Sequence, residues 1–191
     1  MTQIIGTLPN FTLGADPEFF VHCGQRFISA IGLIPGSKYE PQDIPCGSAI
    51  QVDNVACEFN TVPAKSAAEF SAAVESPLKY IEDLLAAQQY MISREAYTIF
   101  DNDQLEDEEA RMAGCEPDFC AYTQEMNEPP DYGDRNDRSV AGHLHIGMKL
   151  EDGELLALVK ALDLFVTIPG LHCESNQRRQ LAKHTQLRTC V

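Results

Sequence analysis

No stretch of the 191-residue chain approaches about 18 consecutive apolar residues, which argues against a transmembrane helix. The opening residues, MTQIIGTLPNFTLG, lack a basic start and a long apolar segment, so no signal peptide is expected. Positive charge is scarce. Fourteen Lys and Arg stand against 29 Asp and Glu, a formal net charge of −15. Such a surface repels nucleic acid phosphates and anionic membranes, so neither partner is expected. No CxxC pair occurs among Cys23, Cys46, Cys57, Cys115, Cys120, Cys173 and Cys190. An odd number of cysteines without a secretory leader predicts reduced thiols in a cytoplasm. Cys57 lies in a strand-like run and is expected in the core.

What is present suits one domain over residues 1–191, with a hydrophobic fraction of 44% that can fill a core. Residues 11–34 read as a β-hairpin, with FFVHC and RFISAIGLI as strands and Gly24-Gln25 at the turn. Residues 35–48 are rich in turn formers. Residues 49–60, AIQVDNVACEFN, read as one strand, which would put Val52, Asn54, Ala56, Glu58 and Asn60 on one face. Ser66 and Glu69 form a capping box ahead of a helix. Phe70, Val74, Leu78, Ile81 and Leu85 recur at helical spacing, and Pro77 predicts a kink or break near Ser76. FCAYT is expected as a strand and residues 124–139 as a long loop, of a kind that often serves a site. VAGHLHIGMKL reads as a strand. A second helix is expected from about Glu154 to Ile168, burying Leu155, Leu158, Val159, Leu162 and Phe165. This order does not alternate single strands with helices. It predicts an α+β fold: a curved, mostly antiparallel sheet with helices packed on one face.

Several residues are suited to chemistry. His143 and His145, two apart in GHLHIG, would face the same way about 7 Å apart at the Cα level. Flanking Ala141 and Gly147 leave room for a metal ion or a phosphate; a pair of surface histidines is the plainer alternative. Glu58 sits in an otherwise apolar strand, where an unpartnered carboxylate is costly. A divalent cation would partner it, unless that side of the strand is solvated. GADPEFF and GCEPDFC share one formula: glycine, small residue, acid, proline, acid, phenylalanine. Proline belongs at a strand's start or edge, so Asp16 with Glu18, and Glu116 with Asp118, are expected at a sheet rim. Carboxylate oxygens suit magnesium, which commonly implies a nucleoside triphosphate.

GADPEFF, IGLIPGSKYEP around Lys38, QVDNVACEFN, GCEPDF and RSVAGHLHIG occur in this order. With them the chain resembles, over roughly residues 11–180, the phage carboxylate–amine ligases of the glutamine synthetase-like superfamily. The resemblance implies a curved sheet whose concave face holds magnesium and ATP, in a bacterial or phage-infected cytoplasm. It implies small-molecule substrates, one with a carboxylate and one with an amine, joined as an amide through an acyl phosphate. Glu18 and Glu58 match metal-binding glutamates, with Asp16 beside them. His143 or His145 matches a histidine that meets metal or nucleotide phosphate. Arg138, Lys38, Arg178 and Arg179 fall where cations would meet phosphate or the substrate carboxylate, as arginine can do bidentately. Asp53 and Asn54 would orient Glu58 or bind the amine. Residues 182–191 depart from the family's pattern, in which a further strand bearing a glutamate and an arginine is expected. That departure implies an alternative: a truncated, non-catalytic remnant that binds only nucleotide or metal. A metal hydrolase built on HLH is disfavoured, because the 46 residues after His145 are too few for a barrel.

Overall fold

The structure, a computed structural model, describes residues 10–112, 120–126 and 134–169. It is α+β, a curled antiparallel half-barrel sheet with two helices. Glu116, Asp118, Arg178 and Arg179 lie outside the described residues. Among the described residues no helix is long and apolar enough to cross a membrane.

Strand β1, Thr12–Cys23, is the spine of a seven-stranded sheet. It turns at Gly24, whose φ of 59° suits glycine, into β2, Arg26–Ile28. The expected hairpin is therefore present, but its second strand is short. Beyond Ile28 the chain turns, with the Leu33 and Ile34 N–H groups both donating to Ala30 O. Ala30 and Ile34 are buried there, so this apolar run fills the core as a turn. Strand β3 is Gln42–Asp43.

Residues 49–60 are not one strand. They fold as a hairpin of β4, Ala49–Asp53, and β5, Ala56–Asn60. Asn54 at the turn takes φ 55°, a left-handed conformation that asparagine tolerates. The reversal brings Gln51 opposite Glu58 and Ile50 opposite Phe59, so the expected single face of even-numbered residues does not exist.

Helix α1, Ala67–Ala86, starts as expected. Ser66 Oγ accepts from the Glu69 N–H at 3.2 Å, and Glu69 Oε2 accepts from the Lys65 N–H at 2.7 Å. It does not break at Ser76. Pro77 lies inside it, fully buried, one turn after the buried Ala73. The small residue at i−4 and burial of the ring offset the missing hydrogen bond. Ile81 and Leu85 of α1 join Val21, Ile50, Val52, Cys57 and Phe59 in the main core. Phe19 and Phe59 stack with ring centroids 6.1 Å apart. Cys57 is buried as expected, its Sγ 3.3 Å from Phe19 O, and burial pushes its thiol pKa up to about 12. A smaller cluster of Phe20, Val55, Phe100, Leu105, Ala110 and Val140 closes the other side at one end of the sheet.

Strand β6, Met91–Ser93, also pairs with β1. Strands β7, Tyr97–Ile99, and β8, Asp137–Ser139, form a separate ribbon. Residues 120–126 make a turn rather than the strand expected over FCAYT, with the Gln124 N–H bonded to Cys120 O at 2.8 Å. Strand β9, Gly142–Gly147, pairs with residues 12–17 of β1. Helix α2, Asp152–Leu162, runs into a π-helical turn at Asp163–Thr167. The wider turn departs from a period of 3.6 residues. Val159 and Asp163 are buried, whereas Phe165, expected inside, is 78% exposed.

Candidate functional site

Directly opposed residues of an antiparallel pair point to the same side of the sheet. Glu18 of β1 stands opposite Glu58 of β5, and Glu58 stands opposite Gln51 of β4. On the other edge of β1, Asp16 stands opposite His143 and Gly14 opposite His145. Four strands thus bring Gln51, Glu58, Glu18, Asp16, His143 and His145 to one face. The alternate residues Phe19, Cys57, Phe59 and Ile50 meet α1 and its core on the other.

Each acid has a defined environment. Asp16 Oδ1 accepts from the His143 backbone N–H at 2.8 Å and lies 3.2 Å from His143 Nδ1, while Oδ2 lies 3.1 Å from His145 Nε2. Burial pushes the Asp16 carboxyl upward, but these histidine contacts outweigh it and hold the pKa below the usual value. The same hydrogen bond raises His143, against burial, with help from Glu18 and Glu58. Glu18 Oε2 accepts from the Ala141 N–H at 2.9 Å. Burial still raises its pKa, and the nearby Asp53 and Asp16 add to the rise. Glu58 is 5% exposed. Burial, followed by the charges of Glu18, Asp16 and Asp53, pushes its pKa up to about 7, although the Gln51 hydrogen bond pulls it down.

The glycines around HLH also serve the strand pairing. A Cβ at Gly147 would stand 2.5 Å from Thr12 Oγ1, and one at Gly142 would stand 2.9 Å from Pro17 Cα. Both glycines let β9 close on β1, while the side chains of His143 and His145 stay 46% and 60% exposed.

The basic residues divide. Lys38 Nζ approaches Asp53 Oδ2 at 3.8 Å, which puts a lysine at the edge of the acidic face. Arg138 was expected to meet phosphate or the substrate carboxylate. Instead it is 1% exposed and donates to Ala110 O at 2.7 Å, Asp137 O at 2.8 Å, Arg135 O at 2.9 Å and Asn54 Oδ1 at 3.2 Å. A guanidinium committed to main-chain carbonyls clamps loops together. Asn54 belongs to that clamp and also donates to Glu109 O at 3.1 Å.

Sequence reasoning missed Gln51 and Asn60. Gln51 Nε2 donates to Glu58 Oε2 at 2.6 Å, and Asn60 Nδ2 donates to Gln51 Oε1 at 3.2 Å. The available signal was a polar residue inside the apolar run AIQVD, the same signal that drew notice to Glu58.

Among the described residues no three His, Cys, Asp or Glu side chains form a group poised to hold a metal ion. The donor chemistry nevertheless fits a hard cation. A buried carboxyl with a pKa near 7, crowded by three others, is a place where added positive charge is favourable. Magnesium needs only one or two protein carboxylates when water and phosphate fill its other positions, and the Glu18–Glu58 pair can supply those. No protein-family profile, curated protein or solved structure matches the chain.

Proposed function

We propose that the chain is an ATP- and magnesium-dependent carboxylate–amine ligase with a glutamine synthetase-like fold. It would join a carboxylate to an amine by way of an acyl phosphate, which the amine attacks to release phosphate. The reading rests on the resemblance carried by QVDNVACEFN and RSVAGHLHIG. The single observation that supports it is the direct pairing of Glu18 with Glu58 on the face that also carries His143 and His145. Magnesium, held by Glu18 and Glu58, would neutralise charge on the transferring phosphoryl group. The chain's own residues bind and orient. Asp16 fixes the ring of His143 through Nδ1, which leaves Nε2 for a phosphate oxygen. Lys38, at the edge of the face, is positioned to meet an anionic group. Arg178 and Arg179 remain candidates for charge compensation on the resemblance alone.

Incubation with ATP, magnesium and mixed amino acids tests the proposal. Phosphate release that depends on an added amine supports a ligase. Absence of any thermal shift with ATP and magnesium at high concentration would remove both nucleotide binding and the ligase.

One observation favours a second reading. Arg138 is committed to carbonyl oxygens, so that cation is withheld from the reacting groups. A domain that binds nucleotide or metal without turnover would show ATP-dependent stabilisation and no phosphate release.

A further inference from the structure

A carboxylate that receives a cation must present one oxygen while the other is held still. Otherwise the carboxylate rotates, and its preference for one geometry is lost. Among the described residues of the acidic face, only Glu58 has a buried side-chain amide fixed to it. Gln51 is 6% exposed and Glu58 is 5% exposed, on adjacent strands in direct register. The bond from Gln51 Nε2 to Glu58 Oε2 is 2.6 Å long. An amide can present oxygen or nitrogen, so the orientation of Gln51 needs its own determinant. Asn60 supplies it by donating Nδ2 to Gln51 Oε1 at 3.2 Å. With its oxygen engaged by Asn60, Gln51 has only its NH2 group to turn toward Glu58. The chain Asn60–Gln51–Glu58 thus runs one way across the hairpin and ends on a single carboxylate oxygen.

Resting on the cation-binding reading above, we infer that Gln51 is a positioning residue. It holds Glu58 Oε2, leaves Oε1 for a divalent cation shared with Glu18, and is itself oriented by Asn60. It touches neither the reacting atoms nor the ion. Its effect is on the geometry and charge of the ligand oxygen. The nearest alternative is a structural one, in which Gln51 only satisfies a buried carboxyl and its loss costs stability alone.

The experiment measures Mn2+ affinity of the full chain by electron paramagnetic resonance, without nucleotide or substrate, alongside the Tm in EDTA. The variants are Gln51→Leu, Gln51→Met and Asn60→Ala. Gln51→Leu removes the donor, and Gln51→Met removes it while keeping the length of the side chain. Partners that orient a ligand are worth roughly 10–100-fold in metal affinity, and that weakening is expected for both Gln51 variants. Asn60→Ala, which frees the amide to turn over, should weaken binding in the same direction by a smaller factor. Parental Mn2+ affinity in the variants, with or without a change in Tm, would overturn the role of Gln51 and leave the cation reading standing. Should the Gln51 variants fail to fold, unchanged affinity in Asn60→Ala would overturn it. If the parent chain binds no Mn2+, the cation reading falls, and the positioning role falls with it.

Discussion

Replacing Glu58 with glutamine should stabilise the cation-free protein at alkaline pH. Glu58 is 5% exposed, and its carboxyl pKa stands at about 7 against an ordinary 4.5. A carboxyl that binds its proton more tightly when folded is a liability once the unfolded chain has released its own. At pH 4 both states are protonated and nothing is lost. Between pH 4.5 and about 7 the unfolded state deprotonates first, so stability falls as pH rises; above pH 7 the loss is constant. At about 1.4 kcal/mol for each pH unit, that interval amounts to about 3 kcal/mol. Glu58→Gln keeps the shape, still accepts from Gln51 and cannot ionise. Urea unfolding in EDTA should therefore find the variant equal to the parent at pH 4. At pH 8 it should be more stable by about 3 kcal/mol, or roughly 6–12 °C in Tm for a chain of this size. The difference between the two curves reports the Glu58 carboxyl together with its coupling to Glu18, Asp16 and His143. Magnesium at pH 8 should narrow the gap by stabilising the parent alone. A variant no more stable than the parent at pH 8, or a gap that widens toward acid, would refute the picture of a buried, crowded carboxylate.

Arg138→Leu should cost at least about 2 kcal/mol in urea unfolding, because it strands several buried carbonyls, while leaving any thermal shift given by ATP and magnesium unchanged; a shift lost in the variant would return Arg138 to phosphate. Gly142→Ala should destabilise by at least about 1 kcal/mol, since its Cβ would press on Pro17 Cα at 2.9 Å; parental stability would mean that β9 is not seated on β1 as described. Ile81→Ala should cost about 2–5 kcal/mol, read by chemical denaturation, if α1 is what covers the apolar face. A proton NMR titration should place His143 above its ordinary 6.5, chiefly through the Asp16 hydrogen bond. Asp16→Asn should return it toward 6.5, and an unmoved midpoint would sever that link.

Legibility in the sequence followed the range of the forces involved. The hairpin turn at Gly24, the capping residues of α1 and the strand of β9 are encoded within a few neighbouring positions, and each was found. The hairpin inside AIQVDNVACEFN was missed because its turn has no glycine or proline. Asn54 alone reverses the chain, and its fitness for φ 55° carries a weak signal. Pro77 misled because its context is tertiary: burial against the core keeps α1 continuous. Of the site, Glu18, Glu58, Asp16, His143 and His145 were legible as acids and imidazoles in apolar or glycine-flanked strands. The carbonyl partners of Arg138 were not legible, since a basic residue four positions before a histidine strand looks the same whether it clamps carbonyls or faces solvent. Only the register of β1 with β5 and β9 reveals which side chains meet.

The paired strands also set an order of birth. Glu18 and Glu58 lie within about forty residues of one another, and the hairpins that join them close early. Their partners His143 and His145 dock on β1 from about 130 positions away. Contacts so distant in the chain form late, and on a ribosome they wait for translation to reach them. For that interval the nascent protein holds a row of acids without the rings of His143 and His145. On the proposed cation reading, ambient divalent ions would take the place of those rings, and the yield of correctly folded protein would then depend on the magnesium present during synthesis as well as during assay.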